Sequence, residues 1–377
     1  VRPALAGLAG LLLLAAGLPL AAGLTARYAA PVPPGAPRGA GTGVAPGVEG
    51  AFHVHTRRSD GRGTEAEVVA AARQAGLSFV VLSDHNAPPQ PPRLREGVLV
   101  LDAVELSTPH GHLVALAPGG GPVAVAEARA AADPVAAVAG AGAFAVLAHP
   151  VQRKNPWRLW GPAAAAAGGF ELYSADTLWR DALASPLSRL WPAALGWLGQ
   201  GVHGVMALAD DAAGPRERLL ALTPPPVALC SHDAHGLPPY ADVFRALSMH
   251  LPLERLPEEP AAAAEAVASA LRGGEALCVF RALGPVPEGF LVGGLGPGRR
   301  ARAGGRLSVA LPPGALQQGG RVQLRAWGAG RVGEGGREVL LGGPGRLQLE
   351  VWREAPGRWG GREWRPWLVP SPIEVVP

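Results

Sequence analysis

The stretch AFHVHTRRSDGRGT, Ala51 to Thr64, sets His53 and His55 one residue apart at the end of an apolar run, and Ser59, Asp60 and Gly61 follow. In a β-strand residues i and i+2 share a face, so the two imidazoles are expected side by side, a chelating arrangement for a divalent metal. Taken alone, the pair is better explained as surface histidines near a turn, because such spacing arises often by chance. Further ligand-type residues recur downstream: Asp84 and His85 in LSDHN, Glu105 in AVELST, His110 and His112 in HGHL, His149 in LAHP, then Asp233 and His235 in SHDAH. Seven of the ten histidines belong to this set. Imidazole and carboxylate donors suit zinc, manganese or iron, and eight or nine of them exceed what one tetrahedral ion takes. The expectation is a cluster of two or three ions bridged by a carboxylate such as Glu105. Such a cluster clamps a phosphoryl group and lowers the pKa of a bound water towards ~7, the chemistry of a hydrolase.

Those residues need a scaffold that delivers them to one place. Short β-type runs (GAFHVHT, LSFVVLSDHN, VLVLDAVELST, HLVALAP, AFAVLAHP, GFELYSA, PVALCSHDAHG) alternate with Ala-rich helical stretches such as Thr64 to Ala75 and Val125 to Ala141. Thr64 with Glu67 reads as a capping box opening the first helix. Alternating elements with near-continuous apolar strands predict an α/β fold with a parallel sheet or barrel, whose strand C-terminal ends carry the chemistry. Leu178 to Leu222 is apolar, Trp-bearing and helical, with breaks expected at Pro186, Pro192 and Gly201, and Pro260 to Gly273 reads as one further helix. Beyond about Ala301 alternating segments punctuated by Gly and Pro predict a small antiparallel β-sandwich. Five of the ten tryptophans fall there, and packing is the expected use, a sugar-binding face the alternative.

FHVHTRRSDG, LSDHN, VELS, GHLVAL, LAHP and CSHDAHG, in this order, resemble the successive motifs of the PHP (polymerase and histidinol phosphatase) superfamily. The resemblance implies a distorted (βα)7 barrel with a trinuclear metal centre that hydrolyses phosphoesters, mono- or diesters. Carried over by motif, His53, His55, Glu105 and Asp233 would hold the first metal. Glu105 and His149, with His112 as the further ligand, would hold the second, and Asp60, His85 and His235 the third. Glu105, Asp233 and His235 would stand nearest the reaction. Glu171 in FELYSAD is expected to support a ligand, Asp84 to orient one, His232 to pack or hydrogen-bond, and His110 to lie outside the ligand set. Arg57, Arg58, Arg153 and Lys154 follow ligand-bearing strand ends and are candidates for substrate phosphate, with solvated loop charges as the competing reading. The ending RPWLVPSPIEV approximates a PW(I/L)xSNPIY signature of an exported subgroup, with Pro370, Ser371 and Glu374 departing from it.

Composition narrows the setting. The net charge is +4 and the sequence pI near 9.6, but nearly all basic residues are arginine and no dense basic stripe occurs, so nucleic acid is not the expected partner. Cys230 and Cys278 form no CxxC motif and are read as two reduced, buried thiols, a single bridge being the alternative. Ala4 to Leu24 is uncharged and apolar behind Arg2, 21 residues that suit a signal peptide or an uncleaved membrane anchor. Either one exports the chain to the cell envelope. The expected organisation is 1–28 signal or anchor, 29–48 a Pro/Gly-rich linker, 49–298 the barrel and 299–377 the β-rich domain. The expected partner is a small phosphorylated substrate or a lipid head group. Two rivals share the sequence: an amide or ester hydrolase on the same metals, and a non-catalytic envelope binding protein.

Overall fold

The computed structural model describes residues 45–118, 124–183, 191–207, 209, 211–311, 321–356 and 362–377. The apolar N-terminal segment and nearly all of the linker lie outside these residues. No helix among the described residues is long and apolar enough to cross a membrane.

The first half is built on ten strands: β1 (Val48–Val54), β2 (Phe79–Leu82), β3 (Arg93–Arg95), β4 (Val98–Thr108), β5 (Gly111–Leu116), β6 (Phe144–Leu147), β7 (Gly169–Ser174), β8 (Val227–Ser231), β9 (Ser248–Leu251) and β10 (Leu277–Val279). Every residue of β1, β2, β6 and β7 is buried, as in strands covered on both faces. The order β10-β9-β1-β2-β4-β5-β6-β7-β8 is mixed. Pairs β1/β2, β2/β4, β6/β7 and β7/β8 are parallel, whereas β4/β5, β5/β6, β1/β9 and β9/β10 are antiparallel. Past the end of β8 the chain returns to β1: the His232 amide donates to the Phe52 carbonyl at 2.9 Å, and the His55 amide to the Ala234 carbonyl at 2.9 Å. These bonds bring the first and last strands of the β1 to β8 run together.

Regular (βα)7 alternation is therefore not what the strands follow. Between β4 and β5 stand only Pro109 and His110, and Gly111 takes the turn at φ 119°. A connection that short makes an antiparallel pair, because a parallel one needs a crossover of about a dozen residues. The expected single helix from Val125 to Ala141 is also two, Val125–Ala130 and Pro134–Gly140. Pro134 disfavours helix at the residue before it, and Asp133 caps the second piece by accepting from the Ala136 amide at 3.0 Å. The first helix, Glu65–Gln74, opens on the expected capping box, with the Thr64 amide donating to Glu67 Oε2 at 2.6 Å.

The second half is β-rich, but its main sheet is not a separate sandwich. Strands β14 (Val322–Gly328), β17 (Gly345–Pro356), β18 (Arg362–Pro370) and β19 (Ile373–Val376) continue the first sheet, because β18 pairs antiparallel with β10. The short strand β12 (Arg300–Arg302) sits at the far edge on β19. A second, four-stranded sheet holds β11 (Leu291–Gly293), β13 (Arg306–Ala310), β16 (Glu338–Leu341) and β15 (Gly330–Val332). One apolar core runs through both halves, from Phe52 and Leu106 to Leu347 and Trp367. Trp367 is buried in it, and Trp352 is buried beside Trp327 and Arg325, so packing is their use.

Cys230 and Cys278 correct the reading of two free thiols. They are paired in a disulfide with Cα atoms 5.4 Å apart, a separation sequence spacing could not supply.

A buried polar node joins the halves. Glu350 on β17 accepts from Trp352 Nε1 at 2.8 Å and lies 3.3 Å from Arg216 Nη1, while the Arg216 guanidinium stacks 3.5 Å over Trp327. Burial outweighs Arg216 and pushes the Glu350 carboxyl up from 4.5 to about 7. Between those values the folded state holds a proton the unfolded chain has lost, so stability falls as pH rises through that window. At ~1.4 kcal/mol per unit the decline is on the order of 3 kcal/mol. Glu350→Gln is expected to remove this contribution and make the decline shallower, and melting temperatures of both proteins near pH 5 and pH 8 check this. A variant that keeps the wild-type slope would refute the assignment.

Candidate metal centre

The strand ends place the ligand-type side chains around one carboxylate. Glu105, near the end of β4, is buried. Its Oε2 lies 3.2 Å from His53 Nε2, 3.2 Å from His55 Nε2 and 3.1 Å from His85 Nδ1. Its Oε1 lies 2.8 Å from His112 Nδ1 and 3.1 Å from His149 Nε2. Asp233 Oδ1, just past β8, is 3.2 Å from His55 Nε2 and 3.5 Å from His53 Nε2. Asp60 and His235 close the outer end at 3.3 Å, where Asp60 is largely exposed.

The HxH pair does not reach this place as two residues of a regular strand. β1 ends at Val54, its register with β2 shifts between Phe52 and Val54, and His53 sits at φ 67°. The bulge re-aims His53, so its Nε2 meets that of His55 at 3.1 Å. His149 at φ 30° and Asp233 at φ 46° share the left-handed region that side-chain-bearing residues seldom adopt. Three of the converging donors thus sit on strained backbone held by surrounding structure, as functional sites often require.

Supporting contacts hold the donors in place. Glu171 on β7 lies 2.6 Å from His53 Nδ1 through Oε1, and its Oε2 accepts from the His149 amide at 2.7 Å. It orients two donors, as read from the sequence. Asp84 accepts from the Thr56 amide, Thr56 Oγ1 and Ser59 Oγ, each at 2.7 Å, and so ties down the loop carrying Asp60. Gly61 in that loop is required: a Cβ there would stand 2.3 Å from the His55 carbonyl oxygen. His232 is buried with Nε2 2.9 Å from the Leu247 carbonyl, a packing residue, and burial lowers its pKa to about 4. His110 stands apart beside Trp157.

The donors fall into three groups whose ligand atoms lie within 4.8 Å of one another: His53, Glu105, His149 and Asp233; His55, Asp60, His85 and His235; and His85, Glu105 and His112. This differs from the carry-over by motif, which put His55 with His53 and His85 only with Asp60 and His235. The ring of His55 stacks on that of His235 with centroids 4.3 Å apart, and the shared positions of Glu105 and His85 let the groups overlap.

Electrostatics fit a cation. Burial opposes charge on His55, yet Asp233 and Glu105 outweigh it and push the imidazole up to about 9. His53 is likewise raised, by Glu171, Glu105 and Asp233 against burial. Burial alone would raise Glu105 and Asp233, but the imidazoles hold both below the ordinary carboxylate range. Glu105 Oε2 is buried among three imidazoles without a well-aligned hydrogen bond, and His149 Nδ1 has no partner. An orphaned carboxylate oxygen facing three soft-to-borderline donors suits zinc, manganese or iron. Metal binding here must release protons, so apparent affinity rises with pH. Glu171→Gln is expected to weaken that affinity roughly 10- to 100-fold, the usual cost of losing a ligand's support. Calorimetric titration with manganese checks it, and wild-type affinity would count against the role.

The four predicted phosphate-binding cations lie differently. Arg58 is paired with Asp102 and donates to the Pro88 carbonyl, Arg57 donates to the Arg62 carbonyl at 2.7 Å, and Arg153 and Lys154 are exposed on the loop after His149. Sequence reading did not single out a further cation, Arg180. Arg180, on the helix Ala175–Leu183, pairs with Asp176. Burial works against its charge, but Asp176, Asp233 and Asp60 raise its pKa. The i,i+4 spacing of Asp176 and Arg180 was the available signal, lost in a stretch read only as apolar helix.

No family model matches the chain, and no curated protein does. Solved structures do. A two-domain protein of Bacteroides vulgatus, described as containing a predicted PHP-like metal-dependent phosphoesterase, is 14% identical over 90% of this chain and 99% of its own, with a TM-score of 0.39. A protein of Bifidobacterium adolescentis described as a metal-dependent phosphoesterase is 15% identical over 51% of this chain and 89% of its own, with a TM-score of 0.29. An amidohydrolase of Chromobacterium violaceum, with bound sulfate and no metal, is 18% identical over 36% of this chain and 81% of its own, with a TM-score of 0.24.

Proposed function

We propose that the protein is a metal-dependent phosphoesterase of PHP type that works outside the cytoplasm. The observation that carries the reading is the convergence of five imidazoles on the buried Glu105 carboxylate, with Asp233 beside it and Asp60 and His235 at the open end. Two or three divalent ions held by these three groups would supply Lewis acidity and lower the pKa of water for attack on phosphorus.

The chain's own residues do the rest. Glu171 fixes the orientation of His53, and Asp84 fixes the loop that carries Asp60. The exposed end at Asp60 and His235 admits substrate, while the Glu105 end excludes bulk solvent. Arg180, aligned by Asp176, supplies positive charge for the non-bridging oxygens of the phosphoryl group. Arg180→Ala is expected to lower kcat/KM roughly 10- to 1000-fold with metal content unchanged. Steady-state kinetics beside metal analysis check this, and an unchanged kcat/KM would remove Arg180 from the site.

The decisive experiment is hydrolysis of 4-nitrophenyl phosphate and bis(4-nitrophenyl) phosphate by chelated protein refilled with manganese or zinc, beside Asp233→Ala. Metal-restored turnover absent from the variant supports the reading and separates mono- from diesterase. Metal binding without turnover of either ester would sink it.

The extracytoplasmic placement is supported by the apolar segment Ala4 to Leu24 and by the Cys230–Cys278 disulfide, a bond that persists in oxidising compartments. A small phosphorylated molecule or lipid head group is the substrate class that location favours. Residues 1–44 fused to a reporter active only after export test the placement, and a silent fusion argues against it.

A further inference from the structure

An apolar pocket opens directly beside the metal centre. Asp233 and His235 line one end of it together with Asp176. The other walls are Trp179, Trp197, Val205, Met206, Leu237 and Pro238. The three helices behind it, Ala175–Leu183, Trp191–Gln200 and Val202–Met206, are the first three of the four helices between β7 and β8.

Two features make this more than a gap in the core. First, the wall is held rigidly. Gly196 and Gly204 let the second and third helices touch backbone to backbone, since a Cβ on Gly204 would stand 2.1 Å from the Gly196 carbonyl oxygen. Trp179 and Trp197 then meet with ring centroids 6.1 Å apart, both only partly buried. Second, the apolar surface continues out to the rim, where Leu237 is 62% exposed two residues after the ligand-type His235. Isolated exposed apolar side chains are ordinary. The lining as a whole, apolar with a few convergent polar groups, has the composition of a ligand pocket.

We propose that this pocket receives the ester group of the substrate, and that the enzyme therefore prefers phosphoesters of hydrophobic alcohols over those of sugars, nucleosides or polyols. The inference rests on the phosphoester reading above and goes beyond it by naming the alcohol. A phosphorus atom at Asp233 and His235 has its substituents within a few ångströms, which puts this wall within reach of an ester group. A polyhydroxyl group there would lose its hydrogen bonds to water without replacement, whereas an alkyl or aryl group would gain from leaving water. In the reaction the oxygen of water bonds to phosphorus, the bond from phosphorus to the alcohol oxygen breaks, and the alcohol leaves carrying a proton from that water.

The test compares esters of equal chemical reactivity on the metal-loaded full chain. Methyl and n-butyl phosphate form one pair, and methyl 4-nitrophenyl and n-butyl 4-nitrophenyl phosphate the other, with kcat/KM as the readout. The butyl ester of at least one pair is expected to be favoured tenfold or more, since each buried methylene contributes ~0.8 kcal/mol. Leu237→Ser and Trp179→Ala should each lower that ratio at least threefold. Leu237 is exposed, so its variant keeps the test valid if loss of Trp179 unfolds the helices. Equal rates for methyl and butyl esters, or a ratio that survives both substitutions, would overturn the pocket assignment and leave the phosphoesterase reading standing. Turnover of none of the four esters by protein with metal bound would instead overturn the phosphoesterase reading, and the inference with it.

Discussion

Glu105→Gln is expected to cost on the order of 10³-fold in kcat and to strip metal from the protein. The substitution keeps the shape of the side chain and removes the charge on which five imidazoles converge. With that charge gone, Oε1 and Nε2 of the glutamine cannot both accept from the surrounding rings, and a divalent ion held by these groups would lose a charged donor. Burial makes the loss severe, because no water can take the place of the carboxylate oxygen. Metal content by emission spectroscopy and single-turnover kinetics measure the two effects together. A variant with full metal content and turnover within tenfold of wild type would mean that Glu105 only neutralises histidines, and that the reacting centre lies elsewhere.

Trp367→Ala is expected to lower stability by about 3–5 kcal/mol, the range for truncating a buried aromatic side chain. Trp367 on β18 fills the core, its Nε1 donates to the Gly284 carbonyl at 2.9 Å, and its carbonyl accepts from the Phe280 amide at 2.9 Å. Gly284 and Phe280 follow β10, so the indole clasps the junction between the first half and the C-terminal strands. Because β18 pairs with β10 in one sheet, the loss should shift a single transition, by roughly 5–10 °C, and carry activity down with it. Two separate thermal transitions, the lower without effect on metal binding, would show that residues 299–377 fold as their own unit after all.

Much of the candidate site was legible because ligand chemistry is written in residue types at strand ends. His53, His55, Asp60, His85, Glu105, His112, His149, Asp233 and His235 were each singled out by type and position, and each falls into one of the three groups. Glu171 and His232 were also placed correctly, one beside the donors and the other packed away from them. The grouping was not legible. It depends on the bulge at His53 and on the left-handed backbone of His149 and Asp233, which are set by register and packing against distant segments. One of the phosphate-binding candidates has a partner that sequence proximity could not show. Proximity in sequence to a ligand put Arg57 and Arg58 forward, but Arg58 is drawn off by Asp102, 44 residues away.

What the sequence determined by itself was the donor set, the α/β character of the first half and the β-rich character of the second. Periodicity, capping and donor type are local properties, and they need no partner to be read. Only the tertiary structure decided that β4 to β6 turn back on one another, that the C-terminal strands extend the first sheet, that Cys230 meets Cys278, and that Trp179 lines a pocket with Asp233 and His235. Apart from the two-residue turn between β4 and β5, these join residues whose separation along the chain carries no signal of their meeting. They meet because burying the apolar faces of many strands and helices at once leaves few arrangements in which every buried polar group still finds a partner.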